Sequence, residues 1–308
     1  MITENSKMNS ISEMINSLTK GDKKSLARCI SMVENESRGY EELLLNLDLS
    51  RKVPVIGITG PPGAGKSTLI SSMLNAFIQQ NKKIGIIAVD PTSPFNFGSL
   101  LGDRLRMSEH FTHPDVFIRS IATRGSLGGL SAKIIEIIDV MKASDFDYII
   151  IETVGVGQSE IEIAGIADTT ILVLVPEAGD EIQTIKSGIM EIADIFVVNK
   201  SDRDGADIFV KNLQHLVHSH KANEWTPPII KTIATSREGI DELLKNIDLH
   251  QQSAHNPKRA YLLTEKAYRL IQNNQMKDLN KQDLEKKINQ EMTKPGFNIY
   301  SFIKSYGN

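Results

Sequence analysis

Cysteine is almost missing from this sequence: Cys29 stands alone among 308 residues. One thiol makes neither an internal disulfide nor a cysteine-rich zinc cage, which suits a reducing compartment. Long apolar runs are missing too. The longest, such as 148–151 and 171–175, are far too short to cross a bilayer. The first residues, MITENSKMNSISEMINSL, lack the basic-then-apolar order of a secretory signal and the Arg-rich, acid-poor character of a transit peptide. Net charge is small, −3 at neutral pH, and gives no electrostatic reason to expect nucleic acid. Together these absences lead us to expect a cytoplasmic protein with no membrane and no nucleic-acid partner.

What is present has the balance of a folded domain, 40% hydrophobic and 24% charged. Three zones differ. Residues 1–50 have a helical rhythm, with Ile11, Met14, Ile15 and Leu18, then Leu26, Ile30 and Val33, at helix-face spacing. In residues 51–250, short β-rich runs alternate with helical stretches: VPVIGIT, KIGIIAVD, DVFIRS, DYIIIET, TTILVLV, IFVVNK and PPIIKT. These runs are apolar without strict alternation, as strands buried on both faces are. A mostly parallel sheet covered by helices follows. Residues 251–308 are rich in Lys, Gln and Asn, and Tyr268, Ile271, Leu284 and Ile288 suggest an amphipathic pair of helices.

Ligands of such a sheet bind beyond the carboxyl ends of its strands. There VPVIGIT runs into Gly60-Pro61-Pro62-Gly63-Ala64-Gly65-Lys66-Ser67, a complete G-x-x-x-x-G-K-[ST]. Its glycines let the backbone curl so that several N–H groups point inward, and the following helix adds its positive end. Lys66 is expected on the β- and γ-phosphate oxygens, the Ser67 hydroxyl on Mg²⁺, and Thr68 on the α-phosphate side. The fold class expected is α/β, of the P-loop NTPase type, with helical N- and C-terminal extensions.

Strand IFVVNK ends in Asn199-Lys200-Ser201-Asp202, an N-K-x-D. A carboxylate there accepts from both the N1–H and the exocyclic amine of guanine. Adenine has no proton at N1, so it would strand that carboxylate, and such sites reject the wrong partner by factors approaching about 10⁴. The Lys200 stem can cover a purine face, and Asn199 can tie neighbouring loops together. Ala234-Thr235-Ser236, after PPIIKT, fits a turn that meets the guanine carbonyl through backbone N–H groups. The nucleotide expected is GTP or GDP.

Asp90 ends KIGIIAVD and Glu152 ends DYIIIET, placing both carboxylates on the magnesium and γ-phosphate side. Lys66, Asp90 and Glu152 are the candidate catalytic residues. Gly155, in Glu152-Thr153-Val154-Gly155, has the place of a γ-phosphate sensor. Gln158 follows it, and neither it nor any other residue has the address of an evident general base. Arg104, Arg119 and Arg124 are read as surface cations ahead of arginine fingers. Such a site turns over slowly alone, on the order of 10⁻³–10⁻² s⁻¹.

Taken together, GPPGAGKST, AVDPTSP, GSLLGDRLRM, RGSLGGL, IETVGVGQSE, GDEIQTIKSG and VVNKSD resemble the MeaB family. Its members are GTPase chaperones of adenosylcobalamin-dependent methylmalonyl-CoA mutase, also known as ArgK-type or LAO/AO transport kinases. The resemblance implies that Ser67, Asp90, Asp103 and Glu152 serve magnesium and the switches, and that Asp180, Gln183 and Lys186 form a third switch facing the mutase. It also implies a homodimer built through the tail, and a role in gating cobalamin loading and protecting the mutase. Glu177 departs from the family, which more often has glycine there. The competing readings are a metallochaperone GTPase for a nickel or zinc enzyme, with His215, His218 and His220 as its histidine cluster, and an amino-acid transport kinase.

Overall fold

The computed structural model describes residues 4–90, 107, 109–122, 133–153, 163–179, 192–219, 225–253, 258–277, 279–294 and 296–306. Every apolar run singled out above forms a strand: β1 Val55–Thr59, β2 Ile84–Asp90, β3 Val116–Ala122, β4 Tyr148–Glu152, β5 Thr169–Leu174, β6 Ile195–Asn199 and β7 Ile229–Thr232. They join in one sheet of order β3-β2-β4-β1-β5-β6-β7, and every neighbouring pair is parallel.

Strand ends differ from the apolar runs for identifiable reasons. Proline supplies no N–H to a ladder, so β1 begins after Pro54 and β7 after Pro228; their carbonyls still accept from Ile149 N–H and Phe196 N–H, both at 2.9 Å. β6 stops at Asn199 because Lys200 is left-handed, with φ 56°. β3 runs on to Ala122, held by pairing with Asp90 of β2.

Successive residues of each strand point to opposite faces. Helices α1 (Glu4–Thr19), α2 (Lys23–Glu34), α3 (Tyr40–Leu45) and α5 (Ile134–Lys142) share one core with that face of the sheet. Ile11, Leu18, Leu26, Ile30 and Val33 bury there with Val55, Ile87, Ile149 and Ile151. The N-terminal helices are therefore built into the domain. Polar anchors reinforce them: Lys23 Nζ donates to the carbonyls of His113 (2.6 Å) and Val116 (2.7 Å), and Arg119 pairs with Glu34 at 2.7 Å. Arg119 thus faces a helix of its own domain. Burial pushes the Cys29 thiol of α2 up to about 11, which leaves it unreactive at neutral pH.

On the opposite face, α4 (Lys66–Gln79) and α7 (Ile240–Gln252) pack on Ile56, Ile58, Ile171, Val173 and Val197. Helix α6 (Ala206–Ser219) covers Leu172, Leu174, Phe196 and Val198 through Phe209 and Leu213.

Residues 1–259 make one compact unit and 260–308 a second. The second consists of α8 (Lys258–Gln275) for most of its length, α9 (Lys281–Met292) and α10 (Ile299–Tyr306). The tail therefore carries three helices where the periodicity suggests a pair; the additional one is only eight residues long. Phe302 contacts Phe297 and Tyr306, and Lys287 lies over the Tyr306 ring. Tyr268, Ile271, Met292, Tyr300 and Ile303 are exposed. Among the described residues no helix is long and apolar enough to cross a membrane.

Candidate active site

The central strand β1 delivers the chain to Gly60, whose φ of 140° is open only to glycine. A Cβ there would lie 2.1 Å from the Val173 carbonyl oxygen on β5. At Gly65, φ 87°, a Cβ would lie 2.4 Å from Asn199 Nδ2. The loop is thus wedged against β5 on one side and the end of β6 on the other, and glycine is needed at both contacts. Lys66 opens α4 and is 93% buried by its 7% exposure. Its Nζ donates to the Gly60 carbonyl at 2.8 Å and the Pro61 carbonyl at 3.1 Å, so the ammonium lies inside the curl of the loop. A curl of main chain around a cation at a helix N-terminus is chemically suited to phosphate oxygens.

One strand away, Ser67 Oγ donates to Glu152 Oε1 at 2.7 Å, and both residues are buried. A hydroxyl and a carboxylate meeting beside that loop are hard oxygen donors, a set that fits Mg²⁺ and not a soft metal. The next residue, Thr153, donates from Oγ1 to Thr59 Oγ1 at 2.9 Å and from its N–H to the Ile58 carbonyl at 3.1 Å. The start of the Glu152-Thr153-Val154-Gly155 stretch is thereby fastened to the strand that feeds the phosphate loop. Asp90 is the last residue of β2, with its backbone placed by pairing to Ala122. Thr68 follows Ser67 in α4 and is half-buried.

On the other side of β1, Asn199 is a hub. Its Nδ2 donates to the Ala64 carbonyl at 2.9 Å, and its Oδ1 accepts from Thr232 Oγ1 at 3.1 Å and Ala234 N–H at 3.2 Å. One amide thus joins the phosphate loop, the end of β7 and the turn after it. Lys200 lies across to donate from Nζ to the Gly63 carbonyl at 2.8 Å. Asp202 is exposed in the turn that follows, and Ala234 is buried while Thr235 and Ser236 are exposed.

The structure therefore brings together the Gly60–Ser67 loop, Glu152, the Asn199–Asp202 turn and the Ala234–Ser236 turn. The side chain of Asp90 and all of Asp103, Gly155, Gln158, Asp180, Gln183 and Lys186 lie outside the described residues, as do Arg104 and Arg124. His215 is exposed on α6, and the side chains of His218 and His220 lie outside the described residues.

Several contacts have no counterpart in the motifs. Ser72 Oγ donates to the Ala234 carbonyl. Ser71 Oγ donates to Glu109 Oε1 at 2.8 Å and lies 3.1 Å from His110 Nε2. The bond from Ser71 is the main reason that the Glu109 carboxyl is held below its usual range, and burial pushes His110 down. Arg203, in the turn after Asp202, donates to Glu177, which lowers the Glu177 carboxyl. The residue that departs from the family pattern thus pairs with the N-K-x-D turn. All are pairs of ordinary polar residues far apart in the sequence, and no motif signals them.

A parallel sheet whose central strand opens into a glycine-rich loop and then a helix bearing Lys66 and Ser67 defines a P-loop nucleoside triphosphate hydrolase, and the related proteins are named GTPases. More narrowly, the chain belongs to the MeaB family: residues 26–293 match the model described as methylmalonyl Co-A mutase-associated GTPase MeaB. A putative GTPase of Pyrococcus abyssi is 49% identical over 247 residues, covering 79% of this chain and 76% of that protein. GTPase ArgK of Escherichia coli is 36% identical over 245 residues, covering 76% and 73%. The mouse methylmalonic aciduria type A homolog, mitochondrial, is 37% identical over 253 residues, covering 76% of this chain and 61% of that one. The crystal structure of an LAO/AO transport system kinase superposes with a TM-score of 0.64 at 27% identity, covering 96% of this chain and 89% of that one. The protein is a GTP-hydrolysing enzyme of this family.

Proposed function

We propose that this GTPase is a nucleotide-timed chaperone of an adenosylcobalamin-dependent acyl-CoA mutase, methylmalonyl-CoA mutase by family, gating cofactor loading and protecting the loaded enzyme. The observation that carries the reading is the family match over residues 26–293. The joining of phosphate loop and purine-side turn through Asn199 supports it.

In this reading the loop N–H groups and Lys66 hold the β- and γ-phosphates, and Lys66 exchanges the Gly60 and Pro61 carbonyls for phosphate oxygens. Ser67 and Glu152 hold the Mg²⁺, with Asp90 and Asp103 as further carboxylates on that side. When bound, the ion neutralises charge on the β- and γ-oxygens. Water attacks the γ-phosphorus as the bond to the β–γ bridging oxygen breaks, giving GDP and phosphate. Asp202 selects guanine, with Lys200 against the purine and the Ala234–Ser236 turn at its carbonyl. Gly155 and Gln158 report the γ-phosphate, and Asp180, Gln183 and Lys186 pass that state to the mutase. We place the protein in the cytoplasm as a homodimer, a reading supported by the exposed Tyr268, Ile271, Tyr300 and Ile303 of the second unit.

Single-turnover GTP hydrolysis with and without purified methylmalonyl-CoA mutase tests the proposal, together with capture from the native cytosol on protein charged with GDP or a slowly hydrolysed GTP analogue. Nucleotide-dependent capture of a cobalamin mutase, with altered hydrolysis in its presence, is the expected result. Capture of a nickel or zinc enzyme in its place would overturn it.

A further inference from the structure

The turn after β7 brings little chemistry of its own to the proposed base site, because Ala234 offers only its main chain. Both polar groups of that residue are gripped by side chains of other elements. Its N–H donates to Asn199 Oδ1, and its carbonyl accepts from the Ser72 hydroxyl. A serine within a helix ordinarily bonds to the carbonyl one turn back or points to water. Ser72, in α4, is 6% exposed and reaches across to a residue 162 positions away. The turn is closed behind it by the Ile233 N–H donating to the Glu238 carbonyl at 3.2 Å.

We propose that Ser72 is a positioning residue for nucleobase selectivity. Its hydroxyl fixes the direction of the Ala234 carbonyl and, through the same peptide plane, aims the Thr235 N–H at the carbonyl of a 6-oxopurine, while the Ala234 and Ser236 N–H groups stay bonded to Asn199 Oδ1 and the Ile233 carbonyl. The inference rests on reading that turn as part of the guanine site. Its physical basis is directional: a fixed N–H rewards a good acceptor at position 6. A main chain free to rotate offers N–H or C=O as needed and loses that preference.

The neighbouring serine supplies a control. Ser71, about 100° further round the helix, is buried to a similar degree but ties α4 to Glu109 and His110. The two substitutions therefore remove comparable hydroxyls, and only one of them holds the base turn.

The experiment measures the affinities of GDP and 6-thio-GDP for the full-length protein by calorimetry, in the wild type and in Ser72→Ala, Ser72→Thr and Ser71→Ala. The two nucleotides differ only in replacing the 6-oxygen by sulfur, a weaker acceptor. We expect the wild type, Ser72→Thr and Ser71→Ala to prefer the oxygen nucleotide about tenfold, and Ser72→Ala to keep no more than about a twofold preference. Should Ser72→Ala not fold, Ser72→Cys, close in shape and a weak donor, is expected to show the same loss. Full retention of the preference in these hydroxyl-less variants, or an equal loss in Ser71→Ala, overturns the proposal while leaving the guanine site intact. Equal affinity of the wild type for GDP and ADP would overturn the guanine reading and this inference with it.

Discussion

At the amino ends of β5 and β6, polar side chains close on one another. Thr169 Oγ1 accepts from Gln251 Nε2 at 2.5 Å and lies 2.8 Å from Nδ1 of the His250 ring, whose other nitrogen is Nε2. That nitrogen faces Asp194 Oδ1 at 3.6 Å, while Asp194 Oδ2 accepts from the Thr170 N–H at 2.8 Å. The Trp225 ring meets the edge of His250 and donates to the Asp194 carbonyl at 2.9 Å. At the carboxyl ends of the neighbouring strands, the side chains of Lys66, Asn199, Lys200 and Ser72 reach instead to main-chain groups of loops. The first arrangement locks a helix to the amino ends of two interior strands. The second shapes loops, and in the proposed reading its side chains have partners to exchange when the nucleotide arrives.

That contrast can be broken at either end. The largest effect belongs to Lys66→Ala, which removes the cation from the loop: kcat for GTP is expected to fall about 10²–10³-fold, with little change in the melting temperature. A comparable loss of stability would place Lys66 with the locking residues. Asp202→Asn comes next. An amide offers a donor where guanine needs an acceptor, so affinity should move from guanine toward xanthine nucleotides by about 10²-fold, read by competition binding. At the closed end, Thr169→Val removes a buried hydroxyl with two partners; denaturant unfolding should show a loss of about 1–2 kcal/mol with kcat and KM unchanged. A change in KM there would join the two ends functionally.

The smallest effect is a pH dependence. His110 is pushed below its ordinary value of 6.5, first by burial, with Glu109 opposing and His113 assisting. The unfolded chain therefore takes up this proton before the folded one does. The stability contribution is complete above about 6.5 and is lost as pH falls through the lower folded value. His110→Gln should flatten the stability profile in that window; an unchanged profile would assign it to other groups.

Strands and phosphate loop were legible in the sequence because the physics there is local. Buried parallel strands demand unbroken apolar runs, and a main-chain curl demands glycine at set intervals. The N-terminal helices were equally legible, since Leu18, Leu26, Ile30 and Val33 recur at helix spacing and all are buried. Even so, the rhythm told nothing of their ties to Val116 and Arg119. The place of Asn199 at a strand end points to loop-tying, while its partners Ala64, Thr232 and Ala234 come from three separate elements. Ser72, Thr169 and His250 gave no signal at all: a lone serine in a helix has the same spacing whether it faces water or a distant carbonyl. Position in the folded sheet, which one sequence does not state, decides between those outcomes.

The strand order has one more implication. With β1 at the centre, β4 brings Glu152 from one flank and β6 brings Asn199 from the other, about 10 Å from β1 at ordinary strand spacing. In the proposed reading, recognition of the nucleobase and cleavage of the terminal anhydride are thus housed on opposite wings of a single scaffold. An engineer should be able to re-key the molecule to an orthogonal nucleotide, silent toward cellular GTP, without disturbing the machinery that breaks the bond.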